Sequence, residues 1–423
     1  GYSCRVINIE KHKLNNGLTI LLCRNSCSNM AVVNTLYKVG SRNENFEHTG
    51  LAHLLEHLMF SGSKNAPKFD TIVEEASGIN NAWTSEDITN YYEILPSNNI
   101  ETALFLEADR MRGLSLSKKS VEIQRSVVCE EFKQRYLNAP YGDLWHVFKQ
   151  LSYKLHPYRW PAIGKALEDI ENVDSDIIKD FYNTYYHPNN AIISVVGNVD
   201  ADNLFKLAEK WFGDLPESKI CYKDIPTEPQ RLEPRFSLVE RNVPNNILMK
   251  GYAMCNHLSK DYAVCDLISD ILSNGRSSRL FRSIFAKGNL VSSIDASISG
   301  TFDAGQLIIK AQLLPGVSYA DVENAIDQEL DKLINTEIGE VELEKNKNRF
   351  ESNWLLSNIS NEECAANLAY FEMIGDAHWI NNEVNQYRDI STSRVQEVAA
   401  QLFSPNNCVT FHYQALSTYA DCN

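Results

Sequence analysis

The two halves of this chain repeat one order of predicted elements, and that repeat constrains the fold most. Each half carries two strand-like segments followed by a helical segment. The first half has them at 18–23, 31–39 and 51–59, and the second half at 236–240, 248–254 and 260–273. Between them, residues 215–234 hold four prolines and little apolar periodicity, which is typical of a linker. We therefore predict a duplicated α+β domain.

The predicted boundaries follow from this division. The first domain covers 1–215, the linker 216–234 and the second domain 235–423. Further helices are predicted at 99–112, 117–135, 175–185, 201–212, 321–336 and 340–356, and further strands at 191–196, 290–300 and 305–313. Helices and strands are thus mixed within each half.

The helical segment of the first half contains the pattern H-x-x-E-H at residues 53–57. Positions four apart lie on one face of a helix, so His53 and His57 can reach one metal ion. Glu56 projects beside the same site, where a carboxylate can take a proton from a metal-activated water. The leucines around these residues predict a helix in either case. The simpler alternative is an amphipathic helix with two incidental histidines.

A zinc hydrolase site needs a third protein ligand. The helical segment 117–135 contains Glu130 and Glu131, and either could be that ligand. Two glutamates on a helix are more often solvated charges. Position alone leaves the choice open.

Aligning the two repeated helical segments sets Asp266 and Asp270 opposite His53 and His57. The apolar positions are kept in the second copy, whereas the zinc-ligand residues are not. We therefore expect only the first domain to carry chemistry. We interpret the two aspartates as ordinary surface carboxylates.

Composition argues against several kinds of partner. The formal net charge of −15 is unfavourable for nucleic acid and mildly favours basic or neutral peptides, and a soluble acidic surface is the simpler interpretation. No apolar run approaches the ~20 residues of a membrane span, so we expect no membrane insertion. The 10 cysteines form no C-x-x-C pattern, and scattered thiols favour a reducing compartment. Residues 1–4 show no signal-peptide pattern, so we expect a cytoplasmic location.

The chain resembles the pitrilysin/insulinase-type inverzincin metallopeptidases, in the branch of mitochondrial processing peptidase and short bacterial peptidases. The resemblance covers most of the chain and centres on the inverted motif. It includes the segments 37–44, 60–63, 78–84, 87–92, 156–158, 163–164, 186–190 and 195–199. For the fold, it implies two homologous domains, each a mostly antiparallel sheet packed by helices, that form half of a clamshell.

The resemblance also implies a site. It implies one zinc ion per chain, bound by His53, His57 and Glu131, with Glu56 as the catalytic base. Glu131 rather than Glu130 matches the ligand position of the family.

Three further positions follow from the same resemblance. Relatives often have a glutamate seven residues before the third ligand, where this chain has Gln124. Glutamine can hydrogen-bond there but supplies no charge. Asn81 and Ala82 match an edge strand that pairs with the extended substrate backbone. The simpler interpretation of this segment is a turn entering a strand.

Family members usually carry an arginine and, seven residues later, a tyrosine that stabilise the oxyanion. In the matching frame, these positions fall on Phe285 and Ser292, and neither can replace the original. Arg279 and Arg282 lie nearby, and we interpret them as locally packed or paired. The resemblance therefore implies a partner subunit that supplies the pair. We expect a heterodimer with a homologous chain lacking the zinc motif, with a homodimer as the alternative.

The function implied is zinc-dependent endopeptidase activity on peptides or unfolded segments inside a closed chamber. One alternative is a non-catalytic assembly subunit of a larger complex, against which the intact motif argues. Another is a zinc hydrolase that acts on a non-peptide substrate.

Overall fold

The computed structural model describes residues 6–222 and 224–417. The prediction about a signal peptide at residues 1–4 lies outside them. The strands are β1 (Glu10–Lys13), β2 (Thr19–Arg24), β3 (Met30–Tyr37), β4 (Ile79–Thr84), β5 (Thr89–Pro96), β6 (Ala191–Gly197), β7 (Arg235–Arg241), β8 (Ile247–Met254), β9 (Val291–Ile298), β10 (Gly305–Leu313) and β11 (Cys408–Ala415).

The α-helices lie singly or in runs between these strands along the chain. They are α1 (Leu51–Leu58), α2 (Phe69–Glu75), α3 (Ile100–Arg112), α4 (Lys118–Phe132), α5 (Leu144–Ser152), α6 (Leu167–Asn172), α7 (Ser175–Tyr185), α8 (Ala201–Phe212), α9 (Tyr262–Ser273), α10 (Tyr319–Asn335), α11 (Glu340–Ile359), α12 (Asn361–Ile374), α13 (Glu383–Arg388) and α14 (Thr392–Leu402). None of the helices within the described residues is long and apolar enough to span a bilayer.

The first sheet has the strand order β1-β2-β6-β3-β5-β4. Strands β2 and β6 are parallel, and every other neighbouring pair is antiparallel. The central strand β6 is buried along its whole length, as expected for a strand covered on both faces. The edge strand β4 instead alternates between exposed and half-buried residues. One edge of this sheet therefore ends in a partly solvated strand.

The second sheet has the strand order β7-β11-β8-β10-β9. It reproduces the order β2-β6-β3-β5-β4 strand for strand, with the parallel pair at the same place. Helix α1 follows β3 and helix α9 follows β8, and in each sheet the next two strands along the chain complete the far edge. The predicted α+β fold with a repeated, mostly antiparallel sheet is confirmed.

The chain forms two compact units whose segments interleave. One contains residues up to 135 together with 160–225 and 354–383, and the other contains 136–159, 226–353 and the residues from 384. Helix α5 therefore belongs with the second sheet, although it precedes the proline-rich segment. Helix α12 belongs with the first sheet. The boundaries predicted at 215 and 235 stay a prediction.

These two exchanged helices explain why central strands are apolar on both faces. Helix α12 packs on β3 and β6, where the Ser194 hydroxyl donates a hydrogen bond to the Ala365 carbonyl. Phe148 of α5 is fully buried in a cluster with Met249 and Phe411 of the second sheet. The opposite face of that sheet carries a larger apolar cluster formed with α9, α10 and α14.

Candidate metal centre

The motif helix α1 separates an apolar face from a polar one. Leu54, Leu55 and Leu58 are at most 1% exposed. His53, Glu56 and His57 lie on the other side and are half-buried. Burial of the leucines thus holds the polar face of the helix toward the site.

Two features outside the motif fix the beginning of α1. Gly50 has a φ of 83°, and a Cβ there would lie 2.7 Å from the Ile163 carbonyl oxygen. The Glu44 carboxylate accepts hydrogen bonds from the backbone N–H of Gly50 at 3.0 Å and of Ala52 at 2.7 Å. It also accepts the Trp160 indole N–H at 3.0 Å. Burial raises the pKa of Glu44 to about 8, although these donors oppose the shift.

Helix α4 supplies the residues that face α1. It begins at a cap in which the Ser117 hydroxyl oxygen accepts the backbone N–H of Ser120 at 3.1 Å. Gln124 and Glu131 are seven residues apart and therefore share one helix face. A π-helical turn, Lys133–Leu137, follows α4 directly, and such turns are frequent at functional sites. Within it, Arg135 Nη1 lies 3.2 Å from Glu131 Oε1.

The two helices bring three potential metal ligands together. Glu131 Oε2 lies 3.7 Å from His53 Nε2 and 3.6 Å from His57 Nε2. One ligand atom of each residue lies within 4.8 Å of the others, the one such group within the described residues. Glu130, the alternative third ligand, has a side chain that is 64% exposed and lies 3.5 Å from Lys133 Nζ. The geometry therefore favours Glu131.

The electrostatics of the group suit a metal ion. Burial, with the nearby His57 charge, lowers the pKa of His53 to about 3. Burial also lowers the pKa of His57, although the Glu131 charge and a hydrogen bond with Gln124 oppose the shift. Histidine binds metals as the neutral ring. His53 Nδ1 is buried without a hydrogen-bond partner within residues 6–222 and 224–417. Two neutral imidazoles and a carboxylate form a donor set that fits zinc.

Glu56 lies between this group and the edge strand β4. Its carboxylate accepts a hydrogen bond from the hydroxyl of Thr84, the last residue of β4. Burial raises the pKa of Glu56, and the Glu131 charge adds to the shift. Asn81 and Ala82 lie on the same strand, and the Asn81 side-chain oxygen accepts the Ala82 N–H at 2.8 Å. The residues predicted to bind substrate are therefore on a sheet edge beside α1.

Sequence reasoning did not identify Glu44, Thr84 or Arg135 as parts of this site. Glu44 and Thr84 fall inside segments that carry the family resemblance, but neither belongs to a pattern with an evident chemical role. Arg135 follows Glu131 by one helical turn, which is the only sequence signal for its contact.

The matching helix of the second unit, α9, has different surroundings. Asp266 and Asp270 are half-buried, not ordinary surface carboxylates as the sequence suggested. The Tyr387 hydroxyl donates to Asp266 at 2.6 Å, and Asn274 Nδ2 donates to Asp270 at 3.2 Å. Burial raises the pKa of both aspartates, that of Asp270 to about 6. The sequence could not show this burial because Tyr387 is distant along the chain.

The second unit also contains the two positions where the family resemblance implies an arginine and a tyrosine that this chain lacks. Phe285 is 37% exposed at the end of the π-helical turn Phe281–Phe285. Ser292 is exposed on the edge strand β9. Arg279 forms an ion pair with Glu342 at 2.8 Å, which agrees with the local pairing expected for it.

Family models match both halves of the chain. Residues 19–142 match a model described as insulinase, peptidase family M16. Residues 172–350 match a model described as the inactive domain of peptidase M16. The three potential metal ligands lie within the first of these segments.

Individual proteins agree with these matches. The zinc protease PqqE of Helicobacter pylori is 32% identical over 95% of this chain and 92% of its own length. The crystal structure of a protease from Helicobacter pylori has a TM-score of 0.92 and 31% identity, covering 97% of this chain and 100% of that chain. The periplasmic protease PqqL from Escherichia coli has a TM-score of 0.79 at 18% identity. There, 98% of this chain covers 48% of the other, and the likeness concerns the fold alone.

Proposed function

The chain belongs to the insulinase-type M16 peptidase family, and we propose that it is a zinc-dependent endopeptidase that cleaves peptides or unfolded segments. One observation carries the proposal: His53, His57 and Glu131 direct three ligand atoms to within 4.8 Å of one another. The zinc proteases among its relatives support the choice of metal. These three residues would hold one zinc ion per chain.

A bound zinc ion would supply a Lewis acid that acidifies water and polarises a peptide carbonyl. The remaining chemistry belongs to residues of this chain. Glu56 accepts the proton of the attacking water on its carboxylate and then passes it to the leaving amine. The Thr84 hydroxyl, which donates to Glu56, orients that carboxylate at the end of β4. Gln124, hydrogen-bonded to His57, supports the imidazole without adding charge.

The substrate would extend the first sheet by one strand. Strand β4 is its edge, and an edge strand offers unpaired backbone groups to an extended peptide. Asn81 and Ala82 lie two or three residues before Thr84, so a peptide beside them runs toward Glu56. Backbone pairing of this kind requires an extended segment and thus selects peptides and unfolded regions.

A partner subunit would complete the site. Phe285 and Ser292 occupy the positions where the family resemblance implies an arginine and a tyrosine. The partner we propose is a homologous chain that lacks the zinc motif and carries that pair. The length of PqqL, about twice that of this chain, is consistent with two such halves acting together. A homodimer is the alternative assembly.

The first experiment compares the purified chain with its Glu56→Gln variant on a mixed pool of fluorogenic peptides, with zinc content measured in parallel. Ser269→Ala is the matched control because Ser269 occupies the position of Glu56 in the aligned helix α9. We expect one zinc per chain in all three proteins. General-base loss should lower any turnover by about 10²- to 10⁴-fold.

The outcomes separate the parts of the proposal. Turnover by the chain alone that disappears in Glu56→Gln would support the peptidase and contradict the need for a partner. Zinc binding without turnover would support the missing partner. Zinc absent from the wild-type chain, or full activity in Glu56→Gln, would refute the proposed mechanism.

A further inference from the structure

Two cysteines meet at a cavity of the second unit, apart from the metal centre. Cys255 directly follows β8, and Cys265 lies on α9. Both line a cavity of about 550 Å³, together with Arg231, Asp261 and Asn407. Cys255 is half-buried, whereas Cys265 is 2% exposed. Cys255 is therefore the more accessible of the two cysteines that line the cavity.

The two cysteines are neighbours on the wall of this cavity and form a hydrogen bond with each other. The Cys265 thiol donates a hydrogen bond to the Cys255 sulfur, and the Ser259 hydroxyl donates a second one. These hydrogen bonds lower the pKa of Cys255 against the effect of burial. The hydrogen bond with Cys255 raises the pKa of Cys265. A more accessible thiol with a lowered pKa beside a buried thiol is the arrangement in which one cysteine reacts first and the other resolves the product.

We propose that Cys255 and Cys265 form a redox-active dithiol, a modification site that small-molecule disulfides such as glutathione disulfide convert to an intramolecular disulfide. The proposal is independent of peptidase activity, because it rests on residues of the second unit. Its product would tie the end of β8 to α9, the helix that matches the motif helix of the first unit.

The reaction proceeds by two thiol–disulfide exchanges. The Cys255 thiolate attacks one sulfur of glutathione disulfide, which forms a mixed disulfide and releases one glutathione thiolate. Cys265 then loses its proton and attacks the Cys255 sulfur. The second glutathione leaves as a thiolate, and both thiolates take up protons. The protein loses two hydrogens and two electrons, and glutathione disulfide is reduced to two glutathione molecules.

Other cysteines of the chain provide internal comparisons. Cys408 is buried, and its sulfur lies 3.5 Å from the Thr410 hydroxyl. Cys27 and Cys221 are exposed free thiols. Oxidation confined to accessible thiols would modify the exposed pair, whereas the proposed dithiol joins a half-buried residue to a buried one.

The sequence around the pair permits a direct test. Lys250, Lys260 and Arg276 place the two cysteines on separate tryptic peptides, 251–260 and 261–276, with one cysteine each. The folded full-length chain is incubated with glutathione disulfide, its free thiols are blocked, and it is digested without reductant. Mass spectrometry should find these two peptides linked, at about 2 Da below the sum of their masses.

Three variants make the test specific. Cys255→Ala and Cys265→Ala should each abolish the linked peptides, whereas Cys408→Ala should retain them. In Cys265→Ala, glutathione should remain attached to Cys255, because the resolving thiol is missing. Iodoacetamide should also alkylate Cys255 about threefold to tenfold more slowly in that variant, since its thiolate loses a hydrogen-bond donor.

Two results would overturn the proposal. One is the absence of the linked peptides from oxidised wild-type protein whose exposed cysteines have reacted. The other is equal retention of glutathione on Cys255 in the wild type and in Cys265→Ala.

Discussion

Helices α1 and α9 occupy the same place relative to five strands of matching order in the two sheets, yet their polar residues have different partners. In α1, His53 and His57 face the Glu131 carboxylate of α4. In α9, the corresponding residues are Asp266 and Asp270. Arg349 of α11 lies beside α9, where it donates to the Asn274 carbonyl, and its charge opposes the rise in the pKa of Asp270 that burial causes.

The different surroundings of α1 and α9 separate the contribution of the fold from that of the individual side chains. In both units the fold provides a helix with two polar side chains one turn apart. In the first unit, two neutral imidazoles and an anion converge, which suits a cation from outside the chain. In the second unit, two carboxylates have partners within the chain: the Tyr387 hydroxyl, the Asn274 amide and the Arg349 charge. The identity of the pair and the residues of the neighbouring helices together decide whether the pair suits a metal.

The largest expected effect concerns that neighbouring helix. Glu131→Gln should weaken zinc binding by at least about 100-fold, because it removes a charged ligand and not merely an outer hydrogen-bond partner. Glu130→Gln is the matched control, since its side chain is 64% exposed. Competition with a chromophoric zinc chelator measures both affinities.

Equal zinc affinity in the two variants would show that Glu131 is not a ligand. It would also mean that α4 does not supply a metal ligand to α1, which is the feature that sets α1 apart from α9. A loss only in Glu130→Gln would reverse the assignment between the two glutamates.

A smaller effect is expected at the beginnings of the two helices. Glu44 accepts three N–H groups around the first turn of α1, whereas Asp261 before α9 forms no side-chain cap hydrogen bond. Glu44→Ala should lower the free energy of unfolding by about 1–3 kcal/mol, because buried donors lose their acceptor. Asp261→Ala breaks a half-exposed ion pair with Arg394 and should cost about 1 kcal/mol or less.

Urea unfolding followed by circular dichroism measures both changes. A cost for Asp261→Ala that equals or exceeds the cost for Glu44→Ala would contradict this view of the helix starts.

Local patterns in the sequence predicted much of the fold. Alternation and helical spacing predicted α7, α8 and β10 with the bounds that the structure has. The repeat of strand, strand and helix predicted the duplication, and the spacing of H-x-x-E-H predicted that His53 and His57 share a face. The choice of Glu131 over Glu130 came from family resemblance and not from spacing.

Distant contacts could not be predicted in this way. An amphipathic pattern shows that a helix has an apolar face but does not show which sheet covers it. The sequence pattern therefore could not predict that α5 packs on the second sheet and α12 on the first. The contacts of Glu44 with Trp160 and of Asp266 with Tyr387 join residues more than 100 positions apart. Both depend on the finished fold.

The smallest effect concerns the charge of Asp270 in the second unit. Burial, with the Asp266 charge, raises the pKa of Asp270 from 3.8 to about 6 in the folded chain. Between these values the folded state binds more protons than the unfolded state, so this group lowers stability as the pH rises. Above pH 6 the ionised carboxylate should cost about 1–2 kcal/mol after allowance for its partial exposure.

Asp270→Asn removes that cost and should raise the melting temperature by about 2–4 °C at pH 7.5. The gain should be smaller at pH 4.5, where the folded wild-type carboxyl is already protonated. Calorimetry with EDTA at both pH values excludes an effect of metal release, and Asp331→Asn, exposed on α10, is the control. A gain that is equal at the two pH values would show that ionisation of Asp270 is not the cause. A lower melting temperature of the variant at pH 7.5 would mean that the Arg349 charge stabilises the ionised Asp270 carboxylate by more than burial destabilises it. The partners within the second unit would then compensate fully for the burial of this carboxylate.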